Sequence, residues 1–144
     1  MNLFFDTSAL VKYFHREDGS DKVEALIDAA SNVVWISDLA RIEALSAFHR
    51  RFRMGEIDAS NLERAVSGFE QELARFNVQP LNGMVLAEAS SLIKSYSKKH
   101  SLRTLDAIQL AVFVLLQDDN WHFVLADDGL YQVLMAGGFP VIKV

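Results

Sequence analysis

The chain contains no cysteine, which removes disulfide cross-links, thiolate metal sites and cysteine nucleophiles together and makes the cytosol the default compartment. Proline is nearly absent, with two residues in 144, and glycine is scarce at seven. With no Pro- or Gly-rich stretch, repeat or low-complexity tract to divide it, the sequence 1–144 reads as one domain, within the usual size range. Long apolar runs are also missing. The longest unbroken one, Leu110 to Leu116, falls far short of the ~18 residues a spanning helix needs. No basic region precedes the apolar residues at the amino terminus, so neither a membrane nor an export signal is expected. Positive charge is the last shortage: 14 Lys and Arg against 19 Asp and Glu leave a net charge of −5. That is the wrong sign for gripping nucleic acid by bulk electrostatics, and such a role would need a local basic patch or a bound cation.

Apolar residues are plentiful, at 51% hydrophobic against 23% charged, which excludes disorder as the main state. Asn2-Leu3-Phe4-Phe5 is a run suited to a strand buried on both faces, and Asp6-Thr7-Ser8 follows with three helix-capping residues. Ser20 to Ala30 has helical spacing at Val23, Leu26 and Ile27. Val33-Val34-Trp35-Ile36 is a second buried strand, and Ser37 is placed to cap a helix that runs to Met54 and stops at Gly55. Asp58 or Ser60 starts the next helix, with Ser60 and Glu63 spaced as a capping box. Phe76 to Leu81, which contains Pro80, reads as an edge strand. Asn82 to about His100 is amphipathic, and Thr104 is placed to cap a helix whose body, Ala107 to Leu116, is apolar on nearly all sides. His122 to Ala126 forms a strand, Gly129 to Ala136 a short helix and Pro140 to Val144 a last strand. Alternating strands and helices imply an α/β fold, a three-layer α/β/α sandwich around a mostly parallel central sheet.

In an open parallel sheet, ligands bind beyond the carboxyl ends of the strands. Asp6 and Asp127 each directly follow an apolar strand. Asp106 lies in the first turn of the apolar helix, where the helix dipole favours negative charge, and is nearly the only charge on that helix. On the Ser37 to Met54 helix, Glu43 falls between Leu39 and Ala47, in the arc that also holds Ile42 and Ser46, and should face inward. Singly, each acid has an ordinary explanation: Asp6 and either Asp127 or Asp128 as caps, Asp106 as a dipole partner, Glu43 as a surface residue on a misphased helix. Together, without one obvious basic partner each, they repel one another, a repulsion best relieved by a hard divalent cation. Oxygen-only ligands favour Mg²⁺ or Mn²⁺ over zinc or copper, and Mg²⁺ takes one or two carboxylates plus substrate phosphate oxygens. Such a set suits phosphodiester hydrolysis.

Five stretches carry a family likeness: Phe5-Asp6-Thr7-Ser8-Ala9-Leu10; Ser37 to Ala47, reading Ser-Asp-Leu-Ala-Arg-Ile-Glu-Ala-Leu-Ser-Ala; Leu105-Asp106-Ala107-Ile108-Gln109-Leu110-Ala111; Val124-Leu125-Ala126-Asp127; and Gly138-Phe139-Pro140-Val141. In this order the sequence resembles the PIN domain family, and within it the VapC-type toxins of bacterial and archaeal toxin–antitoxin pairs. The resemblance implies a metal-dependent ribonuclease. Asp6 and Asp106 would be the firmest ligands for one or two Mg²⁺ or Mn²⁺ ions, and Glu43 and Asp127 would complete the acidic cluster directly or through water. Thr7 or Ser8 would supply the hydroxyl near the metal, bonding to Asp6 or a bound water. It also implies RNA as substrate, a VapB-like antitoxin as partner, a homodimer as the working unit, and an antitoxin groove among Phe48, Phe52, Leu62, Val66 and Phe69. One departure stands out: many relatives have Thr or Ser two residues before the fourth acid, where this chain has Leu125.

Two basic groups flank the acids: Arg50, Arg51 and Arg53 at the end of the glutamate helix, and Lys94, Lys98, Lys99, His100 and Arg103 before Asp106. Arg50, Arg51, Arg53, Lys98 and Arg103 are candidate RNA-phosphate contacts, with helix-end stabilisation as the competing explanation. The four histidines have no metal-ligand spacing, and Trp35 and Trp121 read as packing residues. An aspartyl-nucleophile phosphatase would also place an acid after its first strand, but those enzymes resemble one another in a second Asp two residues on, where this chain has Ser8. A PIN-like module that binds RNA or a partner without cutting is the remaining alternative.

Overall fold

The computed structural model describes residues 1–144. Its elements run β1 (Asn2–Phe5), α1 (Thr7–Phe14), α2 (Ser20–Asp28), β2 (Val33–Ser37), α3 (Asp38–Arg53), α4 (Ala59–Glu72), β3 (Asn77–Gln79), α5 (Gly83–Tyr96), α6 (Thr104–Leu116), β4 (Trp121–Leu125), α7 (Asp128–Ala136) and β5 (Val141–Lys143). The five strands form one sheet in the order β3-β2-β1-β4-β5, and every pairing is parallel. The expected α/β sandwich is what the chain forms.

Alternation along the strands builds the layers. Leu3 and Phe5 of β1, Val34 and Ile36 of β2 and Val124 of β4 face a core closed by α1 to α4, which includes Ala44, Phe48 and Phe69. Phe4, Phe123 and Leu125 face the opposite core, closed by α5, α6 and α7. There Phe4 packs with its ring centroid 6.0 Å from Phe113 and 5.4 Å from Phe123. Because α6 lies against both the sheet and α5, its apolar character on nearly all sides is accounted for. Trp35 and Trp121 pack together at 5.0 Å, as expected of packing residues.

The chain runs outward from β1 through β2 to β3, then crosses back to place β4 on the other side of β1. The order therefore reverses between β1 and β4, which opens a crevice at their carboxyl ends. Asp6 immediately follows β1, and Asp127 lies two residues beyond the end of β4, after Ala126.

Several local expectations need correction. Asp58, not Ser60, caps α4: its side chain accepts from the Asn61 amide at 2.7 Å, and Ser60 lies inside the helix, so no capping box forms. Arg103, not Thr104, is the residue before α6, and no side chain caps that helix. Ser37 precedes α3 but makes no cap bond, because its hydroxyl is used elsewhere. Phe48 and Phe69 are buried in the core rather than lining a groove, Leu62 and Val66 pack against the same core, and only Phe52 of that set is exposed.

Candidate active site

The first acid is held by the start of a helix. Asp6 closes β1 in extended conformation and caps α1, its Oδ2 accepting from the Ser8 amide at 3.1 Å and from the Ser8 hydroxyl at 2.5 Å. It is also only 4% exposed. Capping and burial are thus both true of Asp6, and no basic side chain forms an ion pair with it. Burial disfavours the charged form and pushes its pKa up to about 6; the Ser8 hydrogen bonds oppose the rise, while Asp106 and Glu43 add to it.

Ser8 ties this acid to the fourth. Its Oγ accepts from the backbone amides of Ala126 at 3.0 Å and Asp127 at 3.2 Å while donating to Asp6. Asp127 in turn caps α7 by accepting from the Leu130 amide at 2.7 Å, which makes Asp127 rather than Asp128 the cap. Leu125, where a hydroxyl would have been expected, is fully buried in the second core, and the hydroxyl that orders the end of β4 comes from Ser8 instead.

Asp106, in the first turn of α6, accepts from Arg103 Nε at 2.8 Å, and the same guanidinium donates through Nη2 to Asp127 at 3.2 Å. Partial burial raises the Asp106 pKa, while the Arg103 hydrogen bond and charge oppose the rise. Arg103 is thus the resident counter-ion of two acids.

Glu43 is half-buried and reaches inward from α3. Its Oε1 accepts from Gln109 Nε2 at 2.7 Å and from the Thr7 hydroxyl at 3.2 Å. Gln109, fully buried in α6, also donates to Thr7 Oγ1 at 3.2 Å, and its own Oε1 accepts from the Ser37 hydroxyl at 2.7 Å. The sequence reading missed Gln109. Its signal was present: a primary amide in an otherwise apolar helix, one turn after Asp106.

All four acids line one open cleft of about 800 Å³ with Thr7, Ser8, Arg50 and Arg103. Of the other candidate phosphate contacts, Arg51 lines the cleft but is engaged with Glu17 at 3.1 and 3.3 Å. Arg53 and Lys98 are exposed and lie outside the cleft lining. Ile42, expected among inward-facing residues, is 70% exposed on the cleft wall, beside the half-buried Leu39 and the exposed Met54 and Leu105.

No three carboxylate or imidazole groups converge as ligands to one ion. A Mg²⁺ site needs only one or two carboxylates, the remaining positions going to water and phosphate. The residues fit that demand: Asp6 is a buried carboxylate without a basic partner, Asp106 is close enough to raise its pKa further, and the acids nearby contribute oxygen only.

The PIN domain family model matches residues 3–133. Among solved structures, the Mycobacterium tuberculosis toxin VapC20, described as cleaving the sarcin–ricin loop, superposes with a TM-score of 0.73 at 17% identity, covering 99% of both chains. VapBC2 from Rickettsia felis, bound to a DNA fragment from its promoter, matches with a TM-score of 0.70 at 13% identity over 100% of this chain and 99% of that one. A toxin–antitoxin complex from Klebsiella pneumoniae matches with a TM-score of 0.65 at 19% identity over 98% and 96%. No curated protein matches the sequence significantly.

Proposed function

The chain belongs to the PIN domain family, and from that premise we propose that it is a Mg²⁺- or Mn²⁺-dependent endoribonuclease, the toxin of a type II toxin–antitoxin pair. The observation that carries this reading is Asp6: a buried carboxylate without a basic partner, in the crevice where the strand order reverses, in one cleft with Asp106, Asp127 and Glu43. Burying such a charge is costly unless a cation compensates it.

Asp6 and Asp106 would hold the ion, with Glu43 and Asp127 completing the acidic set. When bound, a hard divalent ion lowers the pKa of a coordinated water and neutralises charge developing on the phosphate. Glu43 is suited to take the proton of the attacking water: its Oε1 is engaged by Gln109 and Thr7, and its Oε2 receives no hydrogen bond from the protein. Ser8 holds Asp6 and the Asp127 backbone in register. Arg50, at the cleft rim without a carboxylate partner, and Arg103, once released from its acids, are placed to bind the phosphate backbone.

The apolar wall of Leu39, Ile42, Met54 and Leu105 beside the acids supports a VapB-like antitoxin as inhibitor. No helix is long and apolar enough to cross a membrane, and the absence of cysteine agrees with a cytoplasmic site of action. The homodimer belongs to this reading on the family resemblance. A binding-only module is favoured by one observation, that Arg103 already neutralises Asp106 and Asp127. Incubation with structured and single-stranded RNAs decides between them. Cleavage that requires Mg²⁺ or Mn²⁺ and disappears in Asp6→Asn and Asp106→Asn is the expected result; RNA affinity without cleavage in the parent would establish the binding module.

A further inference from the structure

Resting on the nuclease reading above, we propose that Gln109 is the positioning residue that aims Glu43 into the site. An amide buried in an apolar helix is costly unless its polar atoms find partners, and those of Gln109 do so in one direction only. Ser37 donates its hydroxyl proton to Oε1 at 2.7 Å, which turns Nε2 toward the cleft, where it donates to Glu43 Oε1 at 2.7 Å and Thr7 Oγ1 at 3.2 Å. The flipped amide would set its oxygen against a Glu43 carboxylate oxygen, and this repulsion fixes the orientation.

Two consequences follow. With Oε1 occupied by Gln109 and Thr7, Glu43 keeps Oε2 as its free acceptor in a set direction. And because Gln109 follows Asp106 by one turn of α6, the amide links Glu43 on α3 to the helix that carries Asp106, setting the spacing of two acids from distant parts of the chain. Thr7, next to Asp6, joins the same network. Glu43 would complete the acidic set around the ion directly or through water, and partners that orient such a group tune metal affinity by roughly 10- to 100-fold.

The test is Mn²⁺ binding to the metal-free full-length chain, followed by the electron paramagnetic resonance signal of free Mn²⁺, with thermal melting alongside. Gln109→Met, which keeps length and flexibility but removes both polar atoms, is expected to bind Mn²⁺ roughly 10- to 100-fold more weakly than the parent. In a Glu43→Gln background the same change should produce little further loss. A folded Gln109→Met with parental Mn²⁺ affinity overturns the proposal, as do losses that simply add in the double variant. If Gln109→Met does not fold, Ser37→Ala, which removes only the anchor of the amide, carries the test: weakened Mn²⁺ binding supports the proposal and unchanged binding overturns it. A parent that binds no Mn²⁺ overturns the nuclease reading and this proposal together, whereas a binding parent with unaffected variants overturns this proposal alone.

Discussion

Replacing Asp6 by asparagine should stabilise the metal-free protein at neutral pH while abolishing the chemistry. Burial raises the Asp6 pKa from 3.8 to about 6, and each unit of difference is worth about 1.4 kcal/mol; ionising this group in the folded state at pH 7 therefore costs about 3 kcal/mol. Because the folded pKa lies above the unfolded one, the native state holds the proton more tightly. The stability from that proton is fully present below pH 3.8 and is lost as the pH rises through about 6. An asparagine carries no such dependence, and its amide oxygen can still accept from the Ser8 amide and hydroxyl. Some of the gain is offset because these bonds no longer end on a charge, leaving about 1–3 kcal/mol. At about 2–4 °C per kcal/mol for a chain near this size, the melting temperature in EDTA at pH 7.5 should rise by roughly 3–10 °C. The difference should shrink to nearly nothing by about pH 4. Saturating Mg²⁺ should cancel or reverse the difference, since an ion that binds only the folded parent at about 100 times its Kd adds about 2.7 kcal/mol. An asparagine variant that melts no higher than the parent at pH 7.5, or whose advantage persists undiminished at pH 4, would refute the reasoning.

The remaining expectations concern the residues around it. Ser8→Ala strips one acceptor from the Ala126 and Asp127 amides and one donor from Asp6; urea unfolding should show a loss of about 1–3 kcal/mol, and a loss below 0.5 kcal/mol would contradict this role. Arg103→Ala frees Asp106 and Asp127, and calorimetric titration should find Mn²⁺ bound about two- to fivefold more tightly, the range set by a largely exposed ion pair; weaker binding would mean that Arg103 organises the site rather than competes for it. Arg50→Ala should weaken RNA binding and flatten its salt dependence with stability nearly unchanged. Arg51→Ala should instead cost about 1 kcal/mol of stability through the lost Glu17 pair and leave RNA affinity alone; the reverse pattern would exchange their roles.

The sequence reveals the frame of this site more readily than its wiring. Leu3-Phe4-Phe5 and Phe123-Val124-Leu125 are legible as strands because both faces are buried, and the acids that end them fall where a parallel sheet binds ligands. Helix starts are less legible because capping residues compete: Ser37 and Asp58 both look like caps, yet only Asp58 accepts a backbone amide, while the Ser37 hydroxyl is drawn to Gln109 on a helix 72 residues away. Arg51 and Arg50 are adjacent and chemically alike, and only the arrival of Glu17 from another part of the fold separates a structural arginine from one at the cleft rim. Phe48 and Phe69 look like groove residues in a one-dimensional pattern, but in three dimensions they pack edge to face 6.1 Å apart inside the core. Long-range pairings of this sort carry no local signal.

The proposed chemistry requires an ion held by both Asp6 and Asp106. Crystals soaked in Mn²⁺ and measured at the manganese absorption edge test it directly. The expected result is an anomalous peak in contact with both carboxylates, with the Arg103 side chain turned away from Asp106. Full Mn²⁺ occupancy elsewhere on the protein with none in this cleft, or a cleft in which Arg103 still bridges Asp106 and Asp127 at saturating Mn²⁺, would contradict it.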